Sequence, residues 1–169
     1  VEKTFTLTLK VVEIESVASK VFEKDGKKVG YLELTIFASN TYTQFERKLL
    51  ELEGQNIDSL IIDVRDNSGG YLSTVTDIAS LFMNKSKVIY QLDTKGVVEQ
   101  IYSRTNTSRD YDIAVIINHN SASASEIVAG AVRDYKRGLL VGEKSFGKGS
   151  VQVLLPLPDG DGIKLTIAK

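Results

Sequence analysis

Cysteine is absent from the 169 residues, which excludes disulfides, thiolate metal ligands and cysteine nucleophiles. Histidine occurs once, at His119, so no histidine-rich metal centre can form and none is expected. Long apolar runs are missing. Leu60-Ile61-Ile62 is typical of those present, far short of the roughly 20 residues a membrane helix needs. No charge of one sign dominates: Lys and Arg number 21 against 22 Asp and Glu, scattered along the chain. That removes the electrostatic case for nucleic acid or an anionic membrane as partner. The first 20 residues lack the basic start and apolar block of a signal peptide. Internal repeats and low-complexity tracts are also missing, and nothing in the composition asks for a cofactor.

What is present suits one globular domain with a real core. Apolar residues make up 42% and charged residues 25%, an ordinary balance. Thr4 to Leu9 alternates Thr with Phe and Leu, the pattern of a half-buried strand. Asp25-Gly26 punctuates two apolar stretches and predicts a hairpin. A strand is expected over Val29 to Phe37. Thr41 and Gln44 fit a capping box, with Phe45, Leu49 and Leu52 at helical spacing and Gly54 as the stop. Ser59 to Val64 is an unbroken apolar run, the pattern of a strand buried on both faces of a parallel sheet. After the turn Asp66-Asn67-Ser68-Gly69-Gly70, Leu72, Val75, Ile78, Ala79 and Phe82 form a helical stripe. Strands are expected at Lys87 to Gln91 and Val97 to Tyr102, then a polar loop over 103–110. Ile113 to Ile117 is a second buried strand, followed by a helix from about Ala124 to Arg133. A short strand at Leu139 to Val141 and a hairpin around Pro158 to Gly162 complete the reading.

The order strand, turn, helix thus occurs twice, at 59–83 and 113–133. It implies an α/β core of mostly parallel strands with right-handed crossovers and flanking β-hairpins. Sites in such sheets lie beyond the carboxyl ends of the strands, where the turns 65–70 and 118–123 both fall.

The chemistry concentrates in Ser121 to Gln152. Ser123-Ala124-Ser125-Glu126 is an S-x-x-E capping box ahead of an apolar run, and it singles out Ser123 among three serines. Blandly, Ser123 only caps a helix. The same position also sits near free N–H groups and the positive end of the helix dipole, which suit an oxyanion. Lys148, set between Gly147 and Gly149, is a candidate base for that hydroxyl, although lysines are most often surface charges. It can accept a proton only in its uncharged form, which desolvation favours. Gly69-Gly70 reads either as a tight turn or as a source of bare N–H donors for an oxyanion hole. Asp63, Arg65 and Asp66 are read as structural charges bracing the loop. His119, four residues before Ser123, carries less weight than Lys148 because no acid is assigned to orient it. Gly142 to Gly149 nearly matches a phosphate-binding loop, but Gly149 replaces the required hydroxyl and a strand follows in place of a helix.

Three ordered motifs, Asp63 to Gly70, Ser121 to Ile127 and Gly142 to Gln152, closely resemble those of the carboxyl-terminal processing proteases, the tail-specific S41-type serine peptidases. The similarity runs from about Val29 to Lys169. The resemblance implies a ClpP/crotonase-like core and a Ser–Lys dyad. Ser123 matches the nucleophile and Lys148 the general base. Gln152 matches the residue that holds the lysine. The N–H groups of Ala124 and of Gly69 or Gly70 match the oxyanion hole. It further implies protein substrates cleaved near nonpolar carboxyl termini, an extracytoplasmic location, no cofactor, and a possible homodimer of the full-length protein. Residues 1–15 resemble the last strand of a PDZ domain and its linker, leaving 16–169 as protease core with its C-terminal segment truncated. Two other classes share parts of this pattern, a crotonase-like acyl-CoA enzyme and a peptide-binding pseudoenzyme.

Overall fold

A computed structural model describes residue 3, residue 5, residues 13–107 and residues 109–169. The strand expected over Thr4 to Leu9 lies outside the described residues. The first hairpin forms as the Asp25-Gly26 turn requires. Strand β1 (Val17–Lys24) pairs antiparallel with β2 (Lys27–Leu34), and both turn residues take positive φ. β2 stops at Leu34, earlier than expected. Phe37 lies beyond the strand and forms an isolated parallel bridge with Gly70 of the 65–70 loop.

Helix α1 (Thr41–Glu53) buries Phe45, Leu49 and Leu52 and ends at Gly54. Its expected capping box is not made. The cap is Asn40, without a side-chain hydrogen bond. Gln44 instead accepts the Ser16 N–H at 3.0 Å and donates to the Ile14 carbonyl at 2.9 Å. Thr41 accepts the Ala38 N–H and pairs with the Ser16 hydroxyl. Both side chains are buried, so they satisfy the polar backbone of the incoming chain rather than the helix end.

Strand β3 (Ser59–Asp63) leads through the 65–70 loop to α2 (Leu72–Ser80), then to the hairpin β4 (Val88–Thr94) and β5 (Val97–Tyr102). Strand β6 (Asp112–Ile117) leads to α3 (Ala124–Asp134) and β7 (Gly138–Gly142). A last hairpin is β8 (Val151–Pro156) and β9 (Gly162–Ala168). One five-stranded sheet runs β1-β2-β3-β6-β7, parallel except for β1.

Right-handed crossovers that all step the same way along a sheet place their helices on one face. Accordingly α1 packs on α2 and α2 on α3. The core lies between them and that face, around Leu32, Phe37, Phe45, Ile62, Ile78, Val115 and Val128. This corrects the expectation of strands buried on both faces: Ile61 and Ile116 are only half-buried, because among the described residues no helix covers the other side. The polar loop before β6 is tied down by Arg109, whose guanidinium grips both Glu53 oxygens, and by the Tyr111 hydroxyl on Glu53.

Candidate active site

Two loops leave the carboxyl edge of the sheet side by side, residues 65–70 after β3 and 118–123 after β6. Asn118 and Asn120 donate to the Asp66 carboxylate at 3.0 and 2.7 Å, and the Asp66 N–H returns to Asn118. Those amides hold Asp66 below its ordinary pKa, Asn120 most. Beneath them Asp63 is buried and receives Arg65 at 2.6 Å and the Tyr31 hydroxyl at 2.7 Å. Burial would raise the Asp63 pKa, but the Arg65 and Tyr31 hydrogen bonds outweigh it and the result is a lowered value. Burial, reinforced by the Asp63 carboxylate, pushes Tyr31 up to about 12. Asp63, Arg65 and Asp66 are structural charges, as their place in the sequence indicates.

The three serines separate by environment. Ser121 is fully buried and donates to the Val64 carbonyl at 2.7 Å; Ser125 is fully buried and donates to the Asn67 carbonyl at 2.8 Å. Both hydroxyls are therefore spent on the fold. Ser123 is half-buried at the N-cap of α3, with φ 55° and ψ −113°, a conformation rare for a residue with a Cβ. Its hydroxyl lies toward the Glu126 N–H without forming a cap hydrogen bond. Ser123 and Lys148 line the same cleft, of about 420 Å³, together with Leu72, Tyr90, Ile127 and Val151.

The junction between serine and lysine is Glu126, which the sequence marks only as a capping-box partner. One carboxylate oxygen accepts the Ser123 N–H at 2.9 Å and the Lys148 N–H at 2.8 Å. The other accepts the Gly147 N–H and the Ser145 hydroxyl, each at 2.7 Å. Burial raises the Glu126 pKa, but these four donors outweigh it and hold the carboxyl below its ordinary value. One side chain thus fastens the lysine loop to the serine turn. Phe146 N–H adds a bond to the Ser121 carbonyl at 3.0 Å.

Gln152 is not brought to the lysine. It lies exposed on β8, its amide donates to the Thr166 hydroxyl at 3.3 Å, and it does not line the cleft. The alternation of β8 turns it away, because side chains one residue apart point to opposite faces. His119 is 70% exposed and meets Glu143 at 3.3 Å, away from the cleft lining. Among the described residues no cluster of His, Asp and Glu could hold a metal ion.

Both glycines of the 65–70 loop are dictated by the protein's own backbone. A Cβ on Gly69 would lie 2.8 Å from the Ala122 carbonyl oxygen and 2.8 Å from the Ser123 Cβ. A Cβ on Gly70 would lie 2.2 Å from the Phe37 carbonyl oxygen.

A half-buried serine on a positive-φ turn at the carboxyl edge of a mostly parallel sheet, with a lysine loop held to that turn through Glu126, defines the candidate site. Comparison with known proteins narrows this: the profile of Peptidase family S41 matches residues 28–169, and the chain belongs to that family. It is 40% identical over 170 residues to the carboxyl-terminal-processing protease of Synechocystis sp., covering 100% of this chain and 40% of that protein. It is 37% identical over 167 residues to the carboxy-terminal processing protease CtpB of Bacillus subtilis, covering 98% of this chain and 35% of that protein. Among solved structures, the photosystem II D1 C-terminal processing protease superposes with a TM-score of 0.79 at 30% identity, over 94% of this chain and 44% of that one. The likeness extends to the tricorn protease at a TM-score of 0.50, in keeping with a ClpP/crotonase-like core of mostly parallel strands. The chain spans 29% to 40% of the length of the curated relatives it matches.

Proposed function

We propose that this chain carries the catalytic centre of a serine endopeptidase acting through a Ser123–Lys148 dyad. The observation that carries the reading is the Glu126 carboxylate, which binds the main chain of both residues and so sets their spacing within one cleft. Lys148 Nζ takes the proton of the Ser123 hydroxyl as Oγ attacks the scissile carbonyl. The tetrahedral oxyanion is met by the Ala124 N–H and by an N–H from Gly69 or Gly70. The lysine ammonium returns the proton to the leaving amine. Water then releases the acyl group by the same steps in reverse order. Among the described residues the Lys148 amine has no salt bridge or hydrogen bond, which supports an amine free to serve as base. Gln152 can assist only by exchanging Thr166 for the amine.

The cleft walls of Leu72, Tyr90, Leu92, Ile127 and Val151 favour apolar side chains, which supports protein substrates with nonpolar carboxyl termini. Relatives include a chloroplastic carboxyl-terminal-processing peptidase of Arabidopsis thaliana, and an extracytoplasmic site of action is inferred on that basis. Regulation by a preceding PDZ domain and assembly of the full-length protein as a homodimer belong to the same proposal. The test compares Lys148→Ala and Lys148→Arg in the full-length protein by peptide cleavage. Both are expected to lose about 10⁴-fold, the scale of an essential triad member. Near-normal cleavage by Lys148→Arg, which cannot give up its proton, rejects the base assignment. Failure of a fluorophosphonate to label Ser123 turns the reading toward a peptide-binding pseudoenzyme.

A further inference from the structure

Asn67 is fully buried, and its polar atoms reach three parts of the fold. Its Oδ1 accepts the Gly69 N–H at 2.9 Å, and its Nδ2 donates to the Leu34 carbonyl at the end of β2 at 2.8 Å. Its main-chain carbonyl accepts the Ala122 N–H at 3.0 Å and the Ser125 hydroxyl at 2.8 Å. The residue therefore joins β2, the 65–70 loop and both sides of Ser123.

The two glycines that follow have different amides. Gly69 N–H is occupied by Asn67. Gly70 sits opposite Phe37, bracketed by the Phe37 N–H on the Gly69 carbonyl at 2.9 Å and the Tyr71 N–H on the Phe37 carbonyl at 2.8 Å. In a strand ladder the residue between two such bonds points its own N–H and carbonyl away from that neighbour. The Gly70 N–H thus points away from Phe37, and among the described residues it has no partner; the same holds for Ala124 N–H. The Gly69 Cα packs against the serine turn, since a Cβ there would lie 3.0 Å from the Ala124 nitrogen.

We propose that Asn67 is a positioning residue that assigns the second oxyanion donor to Gly70 and withdraws Gly69 from that role. This rests on the reading of Ser123 as nucleophile. By holding the Gly69 N–H, Asn67 fixes the rotation of the peptide that follows. By fastening its own carbonyl to Ala122 and Ser125, it fixes that peptide relative to Ser123. Donors in such a hole act only when fixed within hydrogen-bond distance of the developing charge.

The test uses the full-length protein with ¹⁵N-glycine and ¹⁵N-alanine and a peptidyl boronate that forms a tetrahedral adduct on Ser123. The Gly70 and Ala124 amide protons are expected to move downfield on adduct formation, with Gly69 unchanged. A downfield shift of Gly69 overturns the proposal, as does a shift of Ala124 with neither glycine moving. Kinetics add a second measurement. Asn67→Ala is expected to lower kcat about 10²-fold or more, the scale of one lost donor, with KM within a few-fold and boronate affinity falling in step with kcat. Unchanged kcat and boronate affinity overturn it. Absence of any fluorophosphonate labelling of Ser123 rejects the nucleophile; labelling combined with a Gly69 shift rejects this assignment alone.

Discussion

Ser123 holds φ 55° and ψ −113° beside two serines in ordinary conformations. A glycine adopts such angles without the Cβ clash, whereas an alanine keeps it. Ser123→Gly is therefore expected to abolish cleavage yet to exceed Ser123→Ala in stability by about 1 kcal/mol in urea unfolding, the scale of relieved backbone strain. Equal stability would show that the turn is unstrained. Ser121→Ala and Ser125→Ala should do the opposite. Each removes one donor from a buried carbonyl, Val64 or Asn67, which keeps the Asn67 or Ala122 N–H respectively, at a cost of about 0.5–1.5 kcal/mol, while fluorophosphonate still labels Ser123. Labelling lost in Ser125→Ala at a denaturant concentration where the variant is folded would contradict that division. His119, solvated and far from the cleft lining, should be replaceable by alanine with cleavage kept within several-fold. The place of Ser123 at a helix start was legible in the sequence because S-x-x-E marks it. The burial of its neighbours was not, since their acceptors lie more than 50 residues away.

Helix α3 does more than carry a serine at its start. Its third residue, Glu126, anchors the 145–148 segment through three donors, and this was hidden in the sequence for the same reason: the partners on the lysine loop lie 19 to 22 positions on. Only the acidic position of the capping box gave a sign of it. The opposite failure occurred at α1, where an equally good pattern at Thr41 and Gln44 was overridden by buried backbone at Ile14 and Ser16. Gln152 failed through strand alternation, which no spacing rule on the lysine alone reveals. A carboxylate offers two oxygens to four donors, whereas an amide offers one oxygen and turns N–H₂ toward two of them. Glu126→Gln should thus lower cleavage at least tenfold and broaden the Gly147 and Lys148 amide resonances. The pH dependence follows from sign. The folded carboxyl lies below its ordinary 4.5, so its stabilisation is complete above that value and is lost as pH falls through the lowered folded pKa. The Gly147 and Lys148 amide shifts should be flat at neutral pH and titrate together below about 4.5. Titration above the ordinary value would reverse the assignment.

The whole molecule divides by burial into a sheet with three helices and two hairpins on its rim. The sheet was legible because two apolar strands each precede a turn and a helix, and right-handed crossovers leave one arrangement of the rest. The rim was legible as hairpins but not as poorly covered ones. Between them β8 and β9 bury only Ala168, while Leu154 is 72% exposed and Leu155, Ile163, Leu165 and Ile167 are all exposed. Their tie to the other hairpin is the reciprocal main-chain pair of Asp93 and Lys169. Ser123, Ala124 and Gly70 stand on the well-buried unit, but Lys148 stands on the loop that runs into β8. The candidate site therefore straddles two units of unequal stability, and sparse apolar burial is what sets local opening apart from global unfolding. Amide hydrogen exchange on this chain should be slowest in β3 and β6, intermediate at Gly147 and Lys148, and fastest in β8 and β9. In a urea series, fluorophosphonate labelling of Ser123 should fall before the far-ultraviolet circular dichroism of the helices does, because the lysine leaves while the serine turn is still folded. If labelling and helical signal fall together, and the hairpin exchanges as slowly as β3, the chain unfolds as one cooperative unit and the hairpin is held by the core.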